Sequence, residues 1–160
     1  MGDLITCLWF DGRATEAVRF YAEVFGDEAE IHGGLTHPGV APGSEGEPLT
    51  VEFTIRGQKF MGLNGGPMFT FSEATSFQIM CRDQAEVDHF WEALTADGGE
   101  TGQCGWCKDR FGVSWQVVPE ALPRLLSGGG ARAKRVMEAF MPMTKLDIAA
   151  IEAAAAEVPA

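Results

Sequence analysis

The chain has 160 residues and carries 12 basic against 23 acidic side chains, a formal charge of −11 at pH 7. Such a balance repels phosphate backbones and anionic lipid surfaces, so neither nucleic acid nor a membrane is expected as a partner. The length suits one domain spanning 1–160, and the longest apolar runs fall short of the roughly 18 residues a membrane span needs.

No basic segment followed by a long apolar one opens the chain, which predicts a cytoplasmic protein with reduced thiols; Cys7 and Cys81 lie inside apolar strand runs. Residues 1–6 also match a myristoylation pattern, but they begin an apolar strand, and that reading is preferred.

In chain order, residues 4–10 form a short strand closed by Asp11-Gly12. Apolar residues at Ala14, Ala17, Val18, Tyr21, Val24 and Phe25 have helical spacing, and Gly26 ends that helix. Residues 27–34 are a weaker strand, 37–48 a Pro-, Gly- and Ser-rich loop, and 49–55 and 59–64 two strands joined at Arg56-Gly57-Gln58. A linker starts at Gly65-Gly66-Pro67 and the order then begins again. Residues 75–82 form a strand, Asp83-x-x-Glu86 a helix start, and Val87, Phe90, Trp91 and Leu94 the apolar stripe of that helix. A shift of 70 positions lays Phe20-Tyr21 on Phe90-Trp91 and Glu16 on Glu86. Two β-α-β-β-β modules are therefore expected, at about 1–66 and 75–119.

The stretch 103–119 supplies the last strands of module two. Lys108-Asp109-Arg110-Phe111-Gly112 is a charged turn, followed by an arm with Ser114, Gln116 and Val118 on one face and Val113, Trp115 and Val117 on the other. Pro119 stops the ladder. Beyond it come a short helix ending near Ser127, the hinge Gly128-Gly129-Gly130, an amphipathic stripe of Val136, Met137, Phe140 and Met141 broken by Pro142, and an Ala-rich helix to about residue 157 capped by Thr144-x-x-Asp147. This tail, 120–160, packs on its own subunit or on a neighbour; the reach of the glycine hinge favours a neighbour and hence a homodimer.

Leu8-Trp9-Phe10-Asp11-Gly12, Phe20-Tyr21, Leu63-Asn64-Gly65-Gly66-Pro67, Ser76-Phe77, Gln103-Cys104-Gly105-Trp106 and Lys108-Asp109-x-Phe111-Gly112-x-Ser114-Trp115-Gln116-Val117-Val118-Pro119 resemble the family named 3-demethylubiquinone-9 3-methyltransferase-like (PhnB-like). That family lies within the vicinal oxygen chelate (glyoxalase/bleomycin resistance/dioxygenase) superfamily. The resemblance implies an α+β fold, two βαβββ modules forming a cupped eight-stranded mixed sheet, and frequently a dimer. The superfamily's metal enzymes carry His or Glu on the first and last strands of each module, places that fall here near Ile5, Asn64, Phe77 and Gln116. An alkyl, a phenyl and a carboxamide offer a divalent ion little, and a slip to Thr6 or Gln78 brings no carboxylate or imidazole. His32, His37 and His89 lie in or near the long loop and in a helix. A metal-free cup with no cofactor is expected.

Cys104-Gly105-Trp106-Cys107 has the C-x-x-C form but sits on a strand arm rather than at a helix N-terminus, so packing is the leading reading of Cys104 and a nucleophile the competing one. Gly65-Gly66-Pro67 and Gly128-Gly129-Gly130 do not follow a βαβ unit, as an S-adenosylmethionine site would want. What remains is a ligand site of Trp9, Asn64, Phe69, Phe77, Cys104, Trp106, Ser114 and Gln116, aromatic walls with a few amides and hydroxyls. The leading expectation is a metal-independent protein binding a planar or aromatic small molecule. The alternative is an enzyme acting on a carbonyl or quinone-like compound through Cys104, or through Asn64 and Gln116 as an oxyanion-type donor pair.

Overall fold

In the computed structural model, which describes residues 2–40 and 44–156, the chain divides into two compact units, Met1–Phe71 and Ser72–Ala160. The division falls inside the linker expected between the modules, and each unit carries one four-stranded mixed sheet.

The first unit runs β1 (Thr6–Phe10), α1 (Ala14–Phe25), a single 3-10 turn (Gly26–Glu28), β2 (Ala29–Gly33), β3 (Thr50–Ile55) and β4 (Gln58–Asn64). Its sheet order is β1-β4-β3-β2, with β1 and β4 parallel and the other pairs antiparallel. Arg56 and Gly57, both at positive φ, close a two-residue hairpin that sets Ile55 opposite Gln58. The stripe read from the sequence is the buried face of α1, with Ala14, Ala17, Val18, Phe20, Tyr21, Val24 and Phe25 all inside. It lies against alternate sheet residues, where Phe53 stacks on Phe60 at 5.1 Å and on Tyr21 at 6.1 Å between ring centroids. One Cβ on Gly62 would stand 3.3 Å from that of Ala14, so helix and sheet are as close here as side chains permit.

The second unit repeats the order with β5 (Phe77–Cys81), α2 (Gln84–Thr95), β6 (Glu100–Thr101), β7 (Trp106–Lys108) and β8 (Ser114–Pro119), in sheet order β5-β8-β7-β6. The Asp83 carboxylate accepts from the Glu86 N–H at 2.9 Å and starts α2 as expected, while Glu86 reaches back to the N–H of Arg82 at 2.8 Å. Val87, Phe90, Trp91 and Leu94 are buried, and α2 packs on β5, β7 and β8. Pro119 is the last residue of β8, paired with Cys81.

The tail forms α3 (Ala121–Leu126), α4 (Gly130–Phe140) and α5 (Ile148–Ala156). The expected helix end near residue 157 and the myristoylation pattern's Met1 lie outside the described residues, as do positions 41–43 of the long loop. Two tail expectations need correction. Asp147, not Thr144, caps α5, accepting from Ala150 N at 3.0 Å; the Thr144 carbonyl instead receives the Gly105 N–H. The apolar stripe also does not wait for a partner as a whole. Val136 is fully buried with Val118, Leu122, Leu146 and Ile151 in the second unit's own core, and Phe140 packs beside them, leaving Met137 and Met141 about half exposed. A glycine at position 105 makes this docking possible: at φ +81 any Cβ would stand 2.7 Å from the Val117 carbonyl and 3.1 Å from Leu146.

Candidate functional site

Strand alternation sorts the expected site residues onto faces, and the result differs from the sequence reading. In the first unit Thr6, Leu8 and Phe10 share the α1 side with Phe60, Gly62 and Asn64, and Cys7 and Trp9 share the helix-free side with Met61 and Leu63. Trp9 and Asn64, expected to line one pocket, therefore lie on opposite faces. Asn64 acts as a structural clamp: its Oδ1 accepts from the Ala14 N–H at 2.9 Å at the start of α1, and its Nδ2 donates to the Pro48 carbonyl at 2.9 Å. The helix has no side-chain cap of its own, so Asn64 supplies the missing acceptor from β4.

Trp9 is seated rather than free. Its indole N–H donates to the Gly66 carbonyl at 2.8 Å, Phe69 meets it edge-on at 5.0 Å, and a Cβ on Gly65 would lie 2.4 Å from the indole ring. Gly65-Gly66 is thus the seat of Trp9. The Asn64-Gly65-Gly66 run reads as a linker in the sequence because nothing local announces a long-range aromatic partner.

In the second unit Phe77 is opposite Trp115 in the parallel β5–β8 ladder, and their rings lie 5.4 Å apart on the α2 side. Phe77, partly buried, therefore packs on the α2 side, and its neighbour Gln78 takes the opposite face. There Gln78 Nε2 donates to Gln116 Oε1 at 3.0 Å, and Gln116 Nε2 donates to Ser76 Oγ at 2.7 Å. Trp106 stands directly opposite Gln116 and Lys108 opposite Ser114 in the antiparallel β7–β8 ladder, and Glu100 opposite Lys108. These residues share one face, whose far end, at Met80 and Val118, is covered by the tail cluster. Sequence alternation gave Ser114 and Gln116 the same face but could not align β5 or β6 with them; Ser76, Gln78 and Glu100 enter only through the register.

Lys108 forms an ion pair with Glu73. That hydrogen bond, with the charges of Glu73 and Glu100, holds the Lys108 ammonium above its ordinary pKa, and the same bond holds the Glu73 carboxyl below its own. Both thiols of the C-x-x-C segment are accounted for locally. Cys107 is buried on the α2 side opposite Trp115, and burial, with the Asp109 charge second, pushes its pKa up to about 12. Cys104, at φ 57, gives its N–H to Met143 and its Sγ–H to the Met141 carbonyl at 3.0 Å; it fastens the tail rather than facing a base. Both cysteines are free thiols.

The four positions where the superfamily's metal enzymes carry ligands do not make a donor set here. Ile5 is alkyl and half exposed, Phe77 is a phenyl packed beside Trp115, and Asn64 and Gln116 hold amides already bonded to protein. Among the described residues no three His, Cys, Asp or Glu side chains are grouped to hold a metal ion.

Two mixed four-stranded sheets, each with a helix between its first and second strands, make a fold of paired βαβββ modules. The profile of the 3-demethylubiquinone-9 3-methyltransferase family matches residues 2–118, and the chain belongs to that family. The PhnB protein of Bacillus cereus is 32% identical, with a TM-score of 0.65 over 74% of this chain and 99% of that one. A Pseudomonas aeruginosa protein is 20% identical over 75% of this chain and 98% of its own, with a TM-score of 0.60. A hypothetical protein of S. aureus shares the fold at 14% identity and a TM-score of 0.50, over 72% of this chain and 91% of its own. No curated protein matches the sequence. Among the described residues no helix is long and apolar enough to cross a membrane.

Proposed function

We propose that the face of the second unit's sheet turned away from α2, at the end the tail helices leave uncovered, binds a small, planar or aromatic molecule without a metal ion. The observation that carries this reading is the chain Gln78–Gln116–Ser76 beside Trp106: two amides and a hydroxyl are joined by hydrogen bonds that run from the exposed Gln78 to the partly buried Gln116 and Ser76, next to an indole. A site that must orient a flat ligand uses one apolar wall and a few polar groups, and Trp106 with this bonded amide pair has that composition. Gln116 accepts from Gln78 and donates to Ser76, which leaves each amide nitrogen one further hydrogen to donate.

Metal independence belongs to the same proposal, because the donor chemistry at the four family positions suits no divalent ion. The protein is further proposed to work in the cytoplasm and as a homodimer, with Met137 and Met141 as the exposed apolar remainder at its surface. The test is native mass spectrometry of the freshly purified protein together with elemental analysis. An organic adduct of small mass and substoichiometric Ni, Zn, Mn and Fe are expected; one tightly held ion per chain would overturn the metal-free reading.

A further inference from the structure

A recess of about 210 Å³ lies wholly within the second unit, bounded by Glu73, Glu100, Trp106, Lys108 and Ser114. It has room for roughly seven waters, below the size that encloses a drug-sized ligand, so it suits a head group or a fragment. In its wall Ser114 is 2% exposed, and its hydroxyl has no hydrogen-bond partner among the described residues. Buried hydroxyls are normally paired, and one left without a partner costs stability unless something outside the chain satisfies it.

Charge decides what that partner is. Two carboxylates, Glu73 and Glu100, stand against the single ammonium of Lys108, and Lys108 is already paired with Glu73. An anionic ligand would have to displace Glu73 and then approach Glu100 inside a chain of net charge −11. A cation meets the excess carboxylate and the Trp106 side chain in the wall with no such exchange.

We propose that this recess receives the head group of a small organic ammonium compound, with an N–H donated to Ser114 Oγ, the charge facing Glu100, and the apolar part of the ligand along Trp106. The inference rests on the reading of this face as a small-molecule site and adds the ligand's charge.

Benzylammonium, benzyl alcohol and benzoate present one ring with a cationic, a neutral and an anionic head, and their binding at neutral pH can be compared by ligand-observed NMR. Benzylammonium should bind at least about fivefold more tightly than the alcohol and more than about tenfold more tightly than benzoate, with the gap narrowing as salt rises. Ser114→Ala should weaken benzylammonium about fivefold or more while leaving the melting temperature unchanged or higher, because it removes an unpaired buried hydroxyl. Glu100→Gln should erase most of the preference for the cation. Equal or tighter binding of benzoate, or unchanged binding by Ser114→Ala, would overturn the assignment. If benzoate or the alcohol is preferred yet still needs Trp106, the ammonium assignment falls and the small-molecule face stands. If none of the three saturates, the assignment also falls, and the broader reading is then judged by the native mass measurement alone.

Discussion

The indole N–H of Trp115 donates to the Asp109 carboxylate at 2.8 Å, and both residues are almost wholly buried. Asp109 also accepts from the backbone N–H groups of Phe111 at 2.8 Å and Val113 at 3.1 Å. One carboxylate therefore shapes the β7–β8 hairpin and anchors the core tryptophan behind it, which fixes the strand that carries Ser114 and Gln116. Asp109→Ala removes three partners at once and should cost about 3 kcal/mol or more in urea unfolding, with Trp115→Phe costing less. A loss under about 0.5 kcal/mol for Asp109→Ala would show that the hairpin holds without it.

Asn64→Ala should destabilise the protein by about 1–2 kcal/mol, since the Ala14 N–H and the Pro48 carbonyl both lose their partner. Asn64→Asp should recover part of that loss through the acceptor it restores at the start of α1, and not the bond to Pro48. Thermal melts of the two variants check the order; identical losses would mean that the helix start does not depend on this acceptor.

Stability should fall at alkaline pH in a way that Cys107 controls. Its folded pKa is raised from the ordinary 9.0 to about 12, first by burial and then by the charge of Asp109. The folded state keeps a proton that the unfolded chain releases, so the contribution is complete below about pH 9 and is lost as pH rises toward 12. Urea midpoints at about pH 8 and pH 10.5 should fall more for the native chain than for Cys107→Ala, by up to ~1.4 kcal/mol per pH unit within that window. Parallel decline in both proteins would contradict it.

Gln84 joins the second unit's helix to the tail. Its Nε2 donates to the Leu146 carbonyl and to Asp88 Oδ1, each at 3.1 Å, and its Oε1 accepts from Ile148 N at 2.9 Å. Gln84→Ala should speed amide exchange at Ile148 and proteolysis of α5 without altering exchange in α1. Unchanged protection at Ile148 would mean that the Leu146 and Ile151 contacts alone hold the helix.

The mass of the protein at equilibrium sedimentation tests the proposed assembly. Twice the chain mass at tens of micromolar is expected. A single-chain mass, unchanged with concentration, would show that α3, α4 and α5 serve only their own unit.

Elements whose signal is local were legible in the sequence. The α1 stripe, the Asp83 start of α2, the Arg56-Gly57 turn and the end of β8 at Pro119 each depend on residues within one or two turns of chain. The face assignments of Phe77 and Asn64 were not, because alternation gives two faces and says nothing of which one a distant helix covers. The same limit hid Gln78, Ser76, Glu73 and Glu100, which reach the site face only through strand register and the linker's path. Thr144-x-x-Asp147 fits a capping pattern, yet the N–H that needed an acceptor was three residues past Asp147.

The proposal that Trp106 and Gln116 form a ligand-binding face is tested most directly by the indole ¹H–¹⁵N resonances of the four tryptophans while a panel of neutral and charged monocyclic aromatic compounds is added. The account predicts a saturable shift at Trp106, abolished by Gln116→Ala, and a still resonance for Trp115, whose N–H is held by Asp109. No saturable shift from any compound, or shifts at Trp91 or Trp115 with Trp106 unmoved, would contradict it.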